Sequence, residues 1–364
     1  MRRIRLAKQK RVWDRTLFIL TLILTVLGLI AVADASAPQA LNVFKDKFYF
    51  VKQQMVWGGM GIILLVIASK IHYTFWEKIA TPLFFLSVLA LIVVLIPGVG
   101  TSALGARRWI FLGQISIQPS EFVKLSLAIY FAKVYSKKKR IISYFFPLVL
   151  ILGLIMFEPD LGTTLVVGTM AMVQIFVSGI NILYFIGAIL SGLGASILLI
   201  LTSEYRRARL LTFLSETQDP LGRSYHIRQI LLALGSGGLL GVGLGASRQK
   251  YLFLPEAATD SIFAVIAEEI GFIGALVILA LLALFLYKAF SVAKNAPDAF
   301  SKLLAIGITS WFGVQIFLNI GSMVALVPLT GVPLPFFSYG GSALTMLLVG
   351  AGILLNISKY AKES

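Results

Sequence analysis

The stretch YLFLPEAATDSIFAVIAEEIGFIG, residues 251–274, decides the fold class of this chain. It begins as a short aromatic loop and runs into an apolar segment that continues to Tyr287. Asp260, Glu268 and Glu269 lie at or inside the start of that segment. An acid at membrane depth is costly, so it normally faces a protein interior or a wet cavity and is a functional candidate. At about 1.5 Å per residue the Glu pair lies roughly 12 Å beyond Asp260, which places Asp260 at the rim.

The composition of the whole chain agrees with a membrane protein. Hydrophobic residues make up 58% of the 364 residues, charged residues 13%, and the mean hydropathy is +0.91. Soluble domains carry about 25% charged residues, and barrel strands are about half as long as the apolar runs seen here. We therefore predict an all-α integral membrane protein, folded as one polytopic domain over residues 1–364.

Several kinds of site and partner are disfavoured by the residue counts. The chain has no cysteine, which excludes disulfides and thiolate metal sites. His72 and His226 are its only histidines, so we expect no multi-histidine zinc site. A net charge of +16 in such a protein reflects orientation and contact with anionic membrane lipid, and we expect no nucleic-acid partner.

The charge pattern predicts the topology. Seven basic residues within positions 1–15 place the N-terminus in the cytoplasm. About ten transmembrane helices are predicted, at 16–36, 51–69, 79–97, 119–136, 143–158, 161–179, 181–201, 260–288, 302–327 and 340–357. Ten spans also place the C-terminus in the cytoplasm and leave one large extracytoplasmic loop, residues 202–259.

The predicted outer loops are basic, against the usual rule. Two accounts stay open: long loops translocate whatever their charge, or these arginines meet an anionic substrate, because the planar guanidinium suits phosphate. The residues concerned are Arg107, Arg108, Arg206, Arg207, Arg209, Arg223, Arg228, Arg248 and Lys250. Within the large loop, SYHIRQILLALGSG predicts a short amphipathic helix lying on the membrane, followed by a tight glycine loop. The run GLLGVGLG lacks the strand–helix context of a nucleotide fingerprint.

Two motifs near predicted helix starts allow both a structural and a functional interpretation. Asp260 is either an ordinary N-terminal cap or a catalytic base. In GARRWIFLGQISIQPSEFVKL, residues 105–125, Glu121 and Lys124 have the spacing of an i,i+3 ion pair. In the same stretch Arg107, Arg108 and Trp109 either border a substrate groove or, in the case of Trp109, anchor the chain at the membrane interface.

Two further motifs lie at predicted outer ends of spans. EPDLGTT, residues 158–164, is either a solvated connector or a carboxylate pair for acid–base work or for a divalent cation, with Glu158, Asp160 and Asp260 as candidate metal ligands. VPLTGVPLPFFSYGGSA, residues 327–343, is too rich in proline and glycine for a regular helix. It fits a lipid-binding or re-entrant loop better than a plain connector.

Taken together and in this order, these stretches resemble the SEDS family of membrane proteins, which includes FtsW, RodA and SpoVE. The resemblance covers essentially the whole chain, and SRQKYLFLPEA, residues 247–257, is more similar to FtsW than to RodA. Ala258 and Ser261 stand where the family usually has His and Phe.

The resemblance implies peptidoglycan glycosyltransferase activity: polymerisation of lipid II into a growing glycan strand, with a class B penicillin-binding transpeptidase and other division-machinery proteins as partners. It places the family's proposed catalytic aspartate on Asp260 and its functional tryptophan on Trp109. It implies a multi-pass protein of the bacterial cytoplasmic membrane, acting at the division septum. The residues predicted to contact substrate are Trp109, Arg107, Arg108, Glu121, Lys124, Arg248, Lys250, Glu256, Thr259 and Ser338.

This chemistry needs no nucleotide, and a divalent cation, Mg²⁺ or Mn²⁺, would suit the diphosphate leaving group. A RodA-type elongation role, a lipid II flippase or transporter, and a non-catalytic scaffold of the division machinery remain alternatives. A transporter would more often place broken helices at the midplane in a pair of repeats, and the sequence shows no such pair.

Overall fold

The computed structural model describes residues 12–98, 100–103, 106–113, 115–137, 142–202, 207 and 225–361. Predictions for Arg206, Arg209, Arg223 and most of the N-terminal basic cluster lie outside these residues. Within them the chain forms eleven helices and three short strands. The helices are α1 Arg15–Phe44, α2 Tyr49–Lys70, α3 Thr74–Leu95, α4 Pro119–Ser136, α5 Ile142–Phe157, α6 Leu161–Val177, α7 Ile182–Leu201, α8 Tyr225–Ser236, α9 Ile262–Lys294, α10 Ala299–Met323 and α11 Gly341–Ser358.

Each of the ten predicted spans coincides with a helix, which confirms the all-helical multi-pass fold. Among the described residues, α1, α2, α3, α9, α10 and α11 are long and apolar enough to cross a membrane, and α5, α6 and α7 are shorter apolar helices. The bounds differ most at α1, which continues through Pro38 to Phe44 instead of ending near residue 36. Apolarity marks the part of a helix that sits in lipid, whereas the hydrogen-bonded helix extends further.

The core lies around α4, α10 and α11, and α7 lies at the periphery. In α11 every residue from Leu347 to Ile357 is buried, and α4 is almost as enclosed. By contrast, α7 has no buried residue where its side chains are described, and it contacts little besides α6. The central helices therefore carry the polar side chains that the fold must shield from lipid.

A small antiparallel sheet lies in the predicted outer loop between α3 and α4. Its strands are β1 Gly100–Ala103, β2 Ala106–Leu112 and β3 Ile115–Ile117, in the order β1-β2-β3. This sheet carries Arg107, Arg108 and Trp109 on β2. Among the described residues it is the one correction to the all-α prediction, and it comprises few residues.

The large loop ends with the predicted amphipathic helix and glycine loop. Helix α8 is present, and it packs against α9. Ile230 and Ala233 of α8 are buried, so protein covers part of the face that was predicted to lie on the membrane. The glycines that follow adopt left-handed backbone angles at Gly238, Gly241 and Gly243.

The glycine loop closes a break in α9. Gly271, inside α9, has φ 69° and ψ −175°, which is not helical. Around the break, the amides of Phe272 and Ile273 donate to the carbonyls of Gly238 and Leu239. The amides of residues 242 and 243 donate to the carbonyls of residues 268 and 269. Backbone groups freed in a membrane helix must be satisfied by protein, and here four hydrogen bonds do so.

Candidate functional site

Asp260 lies in a tight turn directly before α9. Helix α9 begins at Ile262, and its N-cap residue is Ser261, whose side chain makes no capping hydrogen bond. The amides of Thr259 and Ser261 both donate to the Glu256 carbonyl, which closes the turn. The interpretation of Asp260 as the N-cap is therefore wrong, because the cap position falls one residue later.

Three successive carbonyls of this turn accept hydrogen bonds from the other end of the chain. The Tyr339 amide donates to the Ala258 carbonyl at 2.8 Å. Ser338 Oγ donates to the Thr259 carbonyl at 2.6 Å. Asn319 Nδ2 donates to the Asp260 carbonyl at 2.8 Å and also to the Val332 carbonyl. The loop 327–340 and α10 thus fix the backbone that carries Asp260.

The carboxylate of Asp260 lies against the backbone of the same loop. Gly331 has φ 72°, and a Cβ atom at that position would lie 3.3 Å from Asp260 Oδ2. A side chain there would be strained and would also crowd the carboxylate. The Pro- and Gly-rich segment is therefore neither a plain connector nor a free loop, because it forms one wall around Asp260.

Glu268 and Glu269 hold the loop that leads to this turn. Glu269 accepts hydrogen bonds from the amides of Gly245 and Ser247 at 3.0 and 3.1 Å. Glu268 accepts from Ser247 Oγ and from the Arg248 amide. Neighbouring residues on a helix point about 100° apart, which predicts that at most one Glu faces a given cavity. Here the same loop bonds to both side chains, and the prediction about a shared cavity stays a prediction.

Lys250 completes this cluster and links it to α1. Its ammonium lies 2.7 Å from Asp34 Oδ1 and 2.8 Å from Glu269 Oε1, and the Lys250 residue is 4% exposed. Burial acts to lower the pKa of Lys250, but its hydrogen bonds to Asp34 and Glu269 outweigh burial and raise the pKa. The structure thus gives Lys250 two protein carboxylates as partners; its predicted contact with substrate stays a prediction.

The predicted ion pair of α4 is present and fully enclosed. Lys124 Nζ lies 2.6 Å from Glu121 Oε1, and both residues are at most 2% exposed. The ammonium also sits 5.4 Å from the ring centroid of Trp311. Glu121 Oε2 and Ser120 Oγ are buried without a hydrogen-bond partner. Unsatisfied buried atoms of this kind usually bind ordered water, so the interior beside this pair is suited to hydration.

Arg108 holds the EPD turn between α5 and α6. Its guanidinium donates to the carbonyls of Glu158 and Pro159 and lies 3.9 Å from Asp160 Oδ2. Asp160 caps α6, accepting from the amide and hydroxyl of Thr163. Burial and the negative charge of Asp160 raise the pKa of Glu158 to about 8, although Arg108 acts to lower it. The site therefore brings Arg108, Glu158 and Asp160 together, as a helix connection.

The remaining predicted site residues differ in their surroundings. Arg107 and Arg248 are exposed at the surface, and Trp109 is half-buried within β2, where it pairs with Thr101. Thr259 Oγ1 donates to the Glu256 carboxylate at 2.7 Å. Among the described residues, no group of three or more acids and histidines lies close enough together to hold a metal ion.

Sequence reasoning missed three residues that shape the site. Asn319 lies within an apolar run of α10, and Asp34 lies within the first span, so neither belongs to a motif. A polar residue inside an apolar run is itself a signal, because its cost in lipid demands a partner. Gly271 gives no comparable signal, because glycine is common in membrane helices.

An open space adjoins the turn on the side of α1. A cavity of about 150 Å³ is lined by Ala35 and Gln39 of α1 and by loop residues that include Glu256. A second, wider cavity of about 410 Å³ continues along α1 to Lys45 and shares Leu252 with the first. Both cavities have apolar linings with one lysine each, Lys250 in the first and Lys45 in the second.

Comparison with known proteins gives a consistent result. The family model described as Cell cycle protein, FtsW/RodA/SpoVE, matches residues 14–363. Stage V sporulation protein E of Bacillus subtilis is 44% identical over 358 residues, covering 96% of this chain and 98% of that protein. The probable peptidoglycan glycosyltransferase FtsW of Trichlorobacter lovleyi is 38% identical, covering 96% of this chain and 94% of that protein.

Solved structures share the fold over nearly the full length. A chain studied for the structural coordination of polymerization and crosslinking by a peptidoglycan synthase complex has a TM-score of 0.77 and 30% identity, covering 96% of this chain and 98% of that one. The rod shape determining protein RodA of Thermus thermophilus has a TM-score of 0.71 and 28% identity, covering 97% and 98%. The chain is therefore a multi-pass membrane member of the FtsW/RodA/SpoVE family, the SEDS family.

Proposed function

We propose that this protein is a peptidoglycan glycosyltransferase that polymerises lipid II at the outer face of the cytoplasmic membrane. The observation that carries the proposal is the turn at Asp260, whose backbone is fixed by Ser338, Tyr339 and Asn319 while its carboxylate borders the loop at Gly331. A base held on rigid backbone at the start of a membrane helix can meet a water-soluble sugar. The names of the FtsW relatives support the same activity.

The proposed reaction uses Asp260 as the general base. Asp260 takes a proton from the sugar 4-hydroxyl of one lipid II as that oxygen attacks the anomeric carbon of the growing strand. The bond from that carbon to undecaprenyl diphosphate breaks, and the diphosphate leaves with the bonding electron pair. Direct displacement of an α-linked diphosphate gives a β-linked glycan, so the enzyme inverts. Outer-face basic side chains would stabilise the leaving diphosphate, and a divalent ion bound there would supply the same positive charge.

The cellular role is a finer part of the proposal. We place the protein in septal cell-wall synthesis with a class B transpeptidase, supported by the FtsW relatives and by the resemblance of residues 247–257. The 44% identity to a stage V sporulation protein favours a second candidate, a polymerase that works during sporulation. The two roles use the same chemistry and differ in partner and timing.

Glycan polymerisation by the purified protein tests the activity. Lipid II is supplied with and without Mg²⁺ and the partner transpeptidase, and glycan length is measured for wild type, Asp260→Asn and the exposed outer-loop control Asp46→Asn. Loss of a general base lowers rates by roughly 10²- to 10⁴-fold, so Asp260→Asn should make almost no polymer while Asp46→Asn resembles wild type. A folded Asp260→Asn protein with full activity would exclude this mechanism, and a wild type that moves lipid II across liposomes without polymerising it would favour transport.

A further inference from the structure

Helix α8 runs alongside the start of α9 and brings a histidine to the turn of Asp260. His226 Nε2 lies 2.8 Å from Ser261 Oγ, one residue after Asp260. At the other end of α8, a Cβ at Gly237 would lie 2.3 Å from the Ala267 carbonyl oxygen, so the two backbones touch there. Ile230 and Ala233, between these contacts, are fully buried. The position of His226 is thus set by a packed helix.

The hydrogen bond to His226 uses the hydroxyl that would otherwise cap α9. Serine is among the preferred N-cap residues because its oxygen accepts an amide hydrogen bond from the first turn. Ser261 occupies the N-cap position of α9 and makes no such bond. Its hydroxyl contacts the imidazole instead. The protonation state of His226 therefore acts directly on the residue that joins Asp260 to α9.

The hydrogen-bond donors described above for the carbonyls of this turn do not titrate near neutral pH. Asn319, Ser338 and the Tyr339 amide hold its carbonyls, and all three are neutral donors. The elements packed around α8 carry other charged groups: Arg228 on α8 itself, Asp260 before α9, Glu268 and Glu269 on α9, and Lys250 and Glu256 in the loop. From Leu303 to Met323, α10 carries no acid, base or histidine. Imidazole is the group among these whose ordinary pKa, about 6.5, lies near neutral pH.

We propose that His226 is a positioning residue which, through Ser261, makes the turn of Asp260 responsive to pH; this rests on the proposed glycosyltransferase function. A neutral imidazole can donate to or accept from Ser261, whereas an imidazolium only donates, so protonation fixes the hydroxyl as acceptor. The positive charge also favours the carboxylate form of Asp260 and weakens it as a base. Glycan synthesis therefore rises with pH as His226 loses its proton.

The first test compares pH profiles of polymerisation for wild type, His226→Gln and His226→Ala. The glutamine side chain keeps a donor for Ser261 but does not titrate, so His226→Gln should retain activity at pH 8 and lose the rise between about pH 5.5 and 7.5. His226→Ala should lower kcat roughly three- to tenfold with little change in KM, as expected for one neutral hydrogen bond. His72→Gln, far along the chain, is the control and should keep the wild-type profile. An unchanged profile in His226→Gln would overturn the proposal.

The second test does not depend on enzymatic activity. In a His72→Gln background His226 is the single histidine, and NMR of its labelled imidazole gives its titration midpoint. Because coupling between two sites is reciprocal, removing the Asp260 charge with Asp260→Asn should lower that midpoint by about half a pH unit or more. Ser261→Ala should also shift it. If neither substitution shifts the titration midpoint of His226, the positioning proposal is refuted even if the protein polymerises lipid II. If the midpoint shifts but the protein makes no polymer, only the proposed glycosyltransferase function is refuted.

Discussion

Two buried lysines show how differently one membrane protein treats enclosed charge. The ammonium of Lys250 pairs with the carboxylates of Asp34 and Glu269. Loop amides donate further hydrogen bonds to Glu269 and to the neighbouring Glu268. Around Lys124, one carboxylate oxygen pairs with the ammonium and the other has no partner. A saturated network rigidifies what it joins, whereas a partly satisfied one leaves polar capacity for water or a ligand. We therefore assign the Lys250 cluster to holding the loop, and the α4 pair to a polar interior.

The largest expected effect comes from breaking the saturated cluster. Lys250→Met leaves the buried Glu269 beside the half-buried Asp34 without a cation, and removing one partner from a buried ion pair such as Lys250–Glu269 costs about 3–5 kcal/mol. Unfolding in mixed micelles should show this loss, whereas Lys45→Met at the exposed end of α1 should change stability by less than about 0.5 kcal/mol. Equal effects at both lysines would contradict the structural role.

A smaller effect is expected from the break in α9. Gly271→Ala introduces a Cβ 2.2 Å from the Gly241 amide nitrogen at a left-handed backbone position. The backbone strain alone costs about 1–3 kcal/mol, and the clash adds to it. Gly194→Ala on α7 is a matched control, because a Cβ there meets nothing within 4 Å. Thermal unfolding should separate the two variants; a stable Gly271→Ala would mean that the glycine loop does not need close contact.

The α4 pair should tolerate joint removal better than single removal. Replacing a buried ion pair by apolar residues of similar volume is often neutral, so Glu121→Leu combined with Lys124→Met should cost less than about 1 kcal/mol, while each single change costs more. A double-mutant cycle on unfolding measures the coupling. If the double variant is stable but makes no glycan, the pair serves the reaction; if it keeps activity, the pair is structural only.

A pH dependence of stability is expected at the EPD turn. Burial and Asp160 raise the pKa of Glu158 to about 8. The stability gained from protonated Glu158 is therefore complete below the ordinary pKa of a glutamate and is lost as pH rises through 8. Glu158→Gln removes that titration. The melting temperature of Glu158→Gln should therefore rise relative to that of wild type as pH increases from about 5 to 9. A difference in melting temperature between the two proteins that stays constant across this pH range would be evidence against a buried, neutral Glu158.

Sequence reasoning located helices well and contacts poorly, for physical reasons. Apolar length is a local property, so all ten spans were predictable, and the Glu121–Lys124 pair follows from helical spacing alone. The sheet at 100–117 was not predictable, because its strands are short and its residues read as a basic loop. Asp260 could be singled out by its position, but Asn319 and Asp34 reach their partners only after distant segments pack. The loop contacts of Glu268 and Glu269 were not predictable either, because helix geometry says nothing about which loop packs against it.

The break at Gly271 also constrains how the protein enters the membrane. The amides of Phe272 and Ile273 and the carbonyls of residues 268 and 269 have partners only when the glycine loop is in place. Each such group left bare in lipid costs several kcal/mol. The loop precedes α9 in the chain, so it is synthesised before the part of α9 that it must satisfy. The first third of α9 thus reaches its final position in the membrane only when it packs against the glycine loop. Insertion of this helix and assembly of the site around Asp260 are therefore coupled.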